Sequence, residues 1–101
     1  MKVRLSGAAR AYILREARYL TDRSPAAGAS FLRTMQSARQ RLSKYPEIGF
    51  QPSPAKSSRR LIVGDYVIDY DAGQDGIDIT AIRHGRQSDG DLQFDDDFDY
   101  E

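Results

Sequence analysis

Apolar and polar positions change period once along this chain, from three-to-four residues in the first half to two in the second. Lys2 to Leu5 alternates and predicts a short first strand with Val3 and Leu5 on one face. Ser6 offers an N-cap oxygen, and residues 8–22 follow a helical pattern. There Ala9, Ile13, Ala17 and Leu20 recur at spacings of 4, 4 and 3, flanked by Tyr12 and Tyr19. Ser24-Pro25 starts a second helix: a hydroxyl cap, then proline at the first helical position, where no N–H is needed. Phe31, Met35, Ala38, Leu42 and Tyr45 step by 4, 3, 4 and 3, a narrow apolar seam expected to face the core. Pro46 stops this helix, because it lacks an N–H and disfavours helical geometry at Tyr45. With only Asp22 and Arg23 between the first periodic segment and the second cap, the helices are expected to form an antiparallel hairpin.

From Gln51 to Ser58 the run QPSPAKSS reads as a loop. Beyond it the period is two. Arg59–Val63 and Tyr66–Tyr70 are β-rich runs joined by Gly64-Asp65, a pair suited to a two-residue hairpin turn. Tyr66, Ile68 and Tyr70 share one face of the second run, opposite Val67, Asp69 and Asp71. DAGQDG makes another turn at 71–76. Ile77–Arg83 is the last strand, with Ile77, Ile79 and Ala81 on one side. The sum is an α+β domain: an N-terminal short strand, an antiparallel helical hairpin, then a three-strand antiparallel meander, with the helices on one face of the sheet.

Length and charge refine this picture. A chain of 101 residues accommodates one domain. No cysteine is present, which excludes a disulfide scaffold, cysteine-ligated zinc and a thiol nucleophile. The first twenty residues hold charges every few positions and no apolar run of membrane-spanning or signal-peptide length, so a cytoplasmic protein without membrane association is expected. The zero net charge conceals a division. Residues 1–88 carry all 15 basic residues against 8 acids, +7, while residues 89–101 carry 7 acids and no base, −7. A domain at 1–88 and an acidic tail at 89–101 follow. The tail holds only Leu92, Phe94, Phe98 and Tyr100 as sizeable apolar or aromatic residues, so in isolation it is expected to stay disordered. Phe94 and Phe98, four apart, suit one amphipathic turn against a basic surface, on the domain or on a neighbouring copy.

Chemistry-bearing motifs are few. With one histidine and carboxylates mostly in turns or the tail, no metal site is expected, and no cofactor: neither a phosphate-binding glycine loop nor a dinucleotide fingerprint occurs. One constellation stands out. In Arg83-His84-Gly85-Arg86 a histidine between arginines has the makings of a general acid–base on a phosphodiester, with Arg59 and Arg60 as further charge. Its bland alternative is a strand end with solvated arginines. Basic residues interleaved with Tyr12, Tyr19, Tyr66 and Tyr70 suit an acidic, partly disordered protein segment, with aromatics as anchors and arginines fixing register. Helix-turn-helix or ribbon readout elements are missing, so direct sequence-specific nucleic-acid binding by this chain alone is not expected.

These pieces in this order resemble the RelE/ParE superfamily of bacterial type II toxins, most closely its ParE branch. The matching residues are Tyr19-Leu20, Ser24-Pro25-Ala26-Ala27, Phe31, Leu42, Tyr45-Pro46-Glu47-Ile48-Gly49, Arg60-Leu61-Ile62-Val63, Tyr66-Val67-Ile68, Tyr70 and Arg83-His84-Gly85-Arg86, spanning residues 2–88. The resemblance implies a toxin encoded beside an antitoxin, usually of the ParD type, which covers the toxin with a C-terminal helix and an extended segment. It implies one of two mechanisms: inhibition of DNA gyrase without catalysis (ParE-like), or ribosome-dependent mRNA cleavage by a basic cluster (RelE-like). The ParE-like mechanism is favoured, because the Gln51–Ser58 loop holds only Lys56 and no tyrosine follows His84 before the tail. The alternatives are the nuclease, with His84, Arg83, Arg86, Arg59 and Arg60 as its set, and an inactive antitoxin-binding module. For antitoxin contact the expected residues are Tyr12, Arg15, Arg18, Tyr19, Arg33, Arg39, Tyr66 and Tyr70. The partner is expected to lay an amphipathic helix along the hairpin and a strand at the sheet edge. Asp69 departs from the family pattern, which often has an apolar or aromatic residue there.

Overall fold

In the computed structural model, which describes residues 1–85, the order is β1 (Val3–Leu5), α1 (Gly7–Arg23), α2 (Pro25–Lys44), β2 (Arg59–Val63), β3 (Tyr66–Gly73) and β4 (Gly76–His84). Both helix starts are made by serines. The Ser6 hydroxyl accepts from Ala9 N–H at 3.0 Å. Ser24 serves two helices: its N–H donates to Leu20 O at 2.8 Å, closing α1, and its hydroxyl accepts from Ala27 N–H at 3.2 Å, opening α2. One residue therefore turns the chain, where the sequence pattern allowed Asp22 and Arg23 as well. Close approach just after this turn requires a glycine, since a Cβ on Gly28 would sit 1.9 Å from Thr21 Oγ1.

The meander is part of a larger sheet. Its strand order is β1-β4-β3-β2; β2–β3 and β3–β4 are antiparallel, whereas β1 runs parallel to β4 with Val3, Arg4 and Leu5 opposite Ile77, Asp78 and Ile79. The sheet is thus mixed rather than wholly antiparallel. Gly64, at φ 57°, supplies the left-handed residue of the β2–β3 turn. The β3–β4 turn is tighter than the run DAGQDG suggested, with pairing continued to Gly73 and Gly76.

Both helices pack on one face of the sheet, and the core lies between. Ala9, Phe31, Met35, Ala38 and Leu42 meet Leu61, Val63, Ile68, Tyr70, Ile77, Ile79 and Ile82. Two expectations about this core need correction. Tyr45 does not extend the α2 seam: it caps the helix at φ −130°, ψ 77°, and is 60% exposed. Pro46 moves Tyr45 out of helical geometry, and its side chain leaves the stripe. Ala81 likewise does not follow Ile77 and Ile79 inward. Tyr70 pairs with Ile79 and Asp69 with Ala81, so Thr80 is an additional residue in β4, a β-bulge. Beyond it the alternation is reset, burying Ile82 and placing His84 on the helix side.

The loop after α2 is anchored through Gly49 and Phe50. Gly49 N–H donates to the buried Tyr70 hydroxyl at 2.8 Å, and Phe50 and Arg60 exchange backbone hydrogen bonds of 3.0 and 2.7 Å. A Cβ on Gly49 would lie 2.6 Å from Arg60 O, so only glycine lets this loop close on β2. No helix among the described residues is long and apolar enough to cross a membrane. The proposed domain limit at residue 88 and the acidic tail lie outside the described residues.

Candidate functional site

Three regions hold the residues with chemistry. Where the hairpin meets the sheet, Tyr66 at the start of β3 donates to Glu16 Oε2 of α1 at 2.6 Å. Its ring touches Phe31 at 4.9 Å and stands edge-on to Tyr12 at 6.4 Å and His84 at 5.4 Å. Burial, reinforced by the charge of Glu16, pushes the Tyr12 hydroxyl up to about 12. Burial and then the hydrogen bond to Glu16 move Tyr66 in the same direction. Both phenols are thereby held protonated, and Tyr66 gives its proton to the hydrogen bond with Glu16. Arg15 lies over the Tyr12 ring at 5.9 Å, and Arg23 stacks on the half-exposed Tyr19 at 3.7 Å. Glu16 was not among the expected site residues, although Tyr12 and Glu16 stand four apart on one helix face.

Along the hairpin, Ile13, Leu32, Met35 and Arg39 line a groove beside Val3 and Leu5 of the edge strand β1. Arg39 reaches across it to donate to Val3 O at 3.3 Å. Leu14 and Leu32 are 65% and 47% exposed, so the helices present apolar side chains outward as well as inward. Arg15, Arg18 and Arg33 are exposed on the same helices. This surface therefore combines exposed leucines, tyrosines and arginines, which is the composition expected of a protein-contact surface. The sequence pattern singled out its arginines and tyrosines but not Leu14, Leu32 or the groove, because a hairpin's outer face has no periodic marker of its own. Tyr70 does not belong to it. That ring has no accessible surface and its hydroxyl is spent on Gly49, so it serves the core and is removed from the set of contact residues.

The third region is the sheet face turned away from the helices. Asp69 accepts from Arg60 Nε at 2.8 Å and from Arg83 at 3.0 Å, all three side chains being about four-fifths buried. Asp69, where the family pattern favours an apolar or aromatic residue, is thus the hub of an ion cluster across β2, β3 and β4. Arg59 instead turns to the loop, donating to Gly49 O at 2.7 Å and Glu47 O at 3.4 Å. The five residues considered for phosphodiester chemistry are consequently not gathered in one place. His84 lies against Tyr66 on the helix side, Arg60 and Arg83 lie on the opposite face, Arg59 holds the loop, and Arg86 lies outside the described residues. Arg83 and His84 are neighbours in one strand and so point to opposite faces, and the bulge at Thr80 decides which face each takes. Among the described residues no three His, Asp or Glu side chains gather as a metal site.

Against this geometry, residues 3–89 match the family model described as ParE toxin of type II toxin-antitoxin system, parDE. The chain belongs to the ParE toxin family. It is a toxin of a type II toxin–antitoxin system of the parDE kind, and such a system supplies a cognate antitoxin as its partner. No curated protein matches the chain. The ParE match starts at β1 and runs past β4, so the parallel N-terminal strand is part of the family domain rather than an appendage.

Proposed function

We propose that this ParE-family toxin acts in the cytoplasm as a protein inhibitor of DNA gyrase and is neutralised by a ParD-type antitoxin laid along the helical hairpin. The observation that carries the non-catalytic reading is the separation of His84 from Arg60 and Arg83 by the thickness of the sheet. General acid–base work needs the proton donor and the charge-stabilising groups around one reacting atom. Here they face apart. The antitoxin helix is received by the groove of Ile13, Leu32 and Met35, with Tyr12 and Tyr19 as further anchors and Arg15, Arg18, Arg33 and Arg39 meeting its acidic residues. A strand of the same partner adds at a sheet edge.

Purified gyrase tests the target. Addition of the toxin should block supercoiling and the antitoxin should restore it. Cleavage of mRNA in a translating extract, abolished by His84→Ala, would instead establish the nuclease. Charge reversal at Arg15, Arg18, Arg33 and Arg39 should weaken antitoxin binding, and unchanged affinity would remove electrostatics from this interface.

A further inference from the structure

The two helices hold all of the net side-chain charge of residues 1–85. Residues 7–44 carry eight bases and two acids, whereas the remainder of 1–85 carries six of each. One of the hairpin's acids, Glu16, is occupied by the Tyr66 hydroxyl. From Arg23 to Pro46 there is no acid at all.

Within α2 the bases differ in their surroundings. Arg39 belongs to the groove flank with Leu32 and Met35, and donates to Val3 O. Ser30, Arg33, Ser37, Arg41 and Lys44 step by 3, 4, 4 and 3 along another line, roughly a third of a turn round the helix, and all five are exposed. That line holds hydroxyls and cations and no large apolar or aromatic side chain. Elsewhere in the fold guanidinium groups are engaged internally: Arg4 pairs with Asp78, and Arg59 donates to Gly49 O. Among the described residues no ion pair or side-chain hydrogen bond engages Arg33, Arg41 or Lys44. A helix C-terminus favours cations in its last turn, which accounts for Arg41 and Lys44. It does not account for Arg33, about three turns earlier, or for the serines in the same line.

Composition separates the partners of these two flanks. A protein segment is anchored by apolar and aromatic side chains, and such residues line the groove. Phosphate oxygens are met by Arg, Lys and Ser with no apolar contact, which describes the line. Single-stranded nucleic acid calls for aromatic stacking platforms, which the line lacks, so a duplex fits it better. Its three cations span ~16 Å at ~1.5 Å per residue, against about five phosphates of one facing strand.

We propose that the α2 line of Ser30, Arg33, Ser37, Arg41 and Lys44 is a sequence-independent contact for the phosphate backbone of duplex DNA. The choice of DNA over RNA rests on the gyrase reading, since an inhibitor of that enzyme works beside its DNA. The phosphate contact itself rests on the line alone. Arg33 borders both flanks, so a bound antitoxin and bound DNA contend for it.

Fluorescence anisotropy of a labelled DNA duplex titrated with the full chain reads this contact. Neutralising three phosphates gives a slope of log K against log[salt] of about −2.7, so affinity should fall about forty-fold between about 50 and about 200 mM salt. Arg33→Gln with Arg41→Gln and Lys44→Gln should remove most of that slope and weaken binding at least about tenfold at the lower salt. Ser37→Glu, which sets a carboxylate inside the line, should weaken binding as well. Lys2→Gln with Lys56→Gln, exposed bases outside the hairpin, should keep both slope and affinity. Equal losses in the two sets of variants would reduce the attraction to net charge and overturn the proposal, as would tighter binding to an RNA duplex of the same sequence. A chain that blocks supercoiling without binding the duplex overturns this inference alone. One that binds the duplex with this slope and leaves gyrase untouched overturns the gyrase reading alone.

Discussion

The Tyr66 hydroxyl donates to the Glu16 carboxylate at 2.6 Å and so fastens the first residue of β3 to the middle of α1, fifty positions apart in sequence. A hydrogen bond to a charged acceptor contributes more than one between neutral groups, and partial exposure reduces it. Tyr66→Phe should therefore cost about 1 kcal/mol of folding stability. A double-mutant cycle with Glu16→Gln should return a coupling energy of about 1 kcal/mol in urea titrations; additive single effects would mean the pair does not hold the hairpin.

The same cluster sets a response to alkaline pH. Free tyrosines ionise near pH ~10, whereas Tyr12 in the fold is pushed up to about 12 and Tyr66 is raised as well. Above the ordinary value the unfolded chain gives up protons that the folded chain retains, so stability is complete below pH ~10 and declines as pH rises toward the folded values. Urea midpoints measured from pH 8 to pH 11 should fall along this limb, and Tyr12→Phe should make the fall shallower. An identical slope in the variant would show that Tyr12 ionises in the fold as it does in water.

Gly49→Ala should destabilise the fold by about 2 kcal/mol, because its Cβ would have to displace the Arg60 carbonyl that β2 uses to hold Phe50. Tyr70→Phe should cost about 1–2 kcal/mol by leaving the Gly49 N–H without its acceptor. Thermal unfolding of both variants checks this, and a neutral Gly49→Ala would mean the loop relaxes away from β2.

Asp69→Ala removes a carboxylate that Arg60 and Arg83 share and should cost about 2 kcal/mol, since two partly buried guanidinium groups then lose its charge and hydrogen bonds. The deficit should shrink at high salt, where the attraction it removes is already screened. A loss independent of salt would mean that packing, not charge, is what Asp69 contributes.

Much of this fold is legible in the residues themselves. Ser24-Pro25 marks the turn between the helices because capping is local chemistry, and Gly64 marks the hairpin because few other residues accept its φ. The pairing of β1 is not written locally: Val3 and Leu5 alternate as any strand would, and only their contact with Ile77 and Ile79 makes it parallel. Ile82 is hidden from the period-two reading for a similar reason, since the bulge at Thr80 is a compromise between two strands. The candidate surface shows the same division. Its arginines and tyrosines stand out by type, whereas the withdrawal of Tyr70 into the core, and which of Arg83 and His84 faces the helices, depend on the side of the sheet the helices cover and on the bulge at Thr80.

The parallel pairing of β1 with β4 has a consequence for synthesis. Among the described residues β1 is flanked in the sheet by β4 alone, so it has no strand neighbour there until residues 76–84 have left the ribosome. The hairpin emerges early, but three of its seven core partners on the sheet, Ile77, Ile79 and Ile82, come with β4. A chain cut short before Gly76 therefore has an open sheet and an unfilled core. A chain abandoned before that point should lack the finished fold, and limited proteolysis of a chain ending at residue 75 would show it as open.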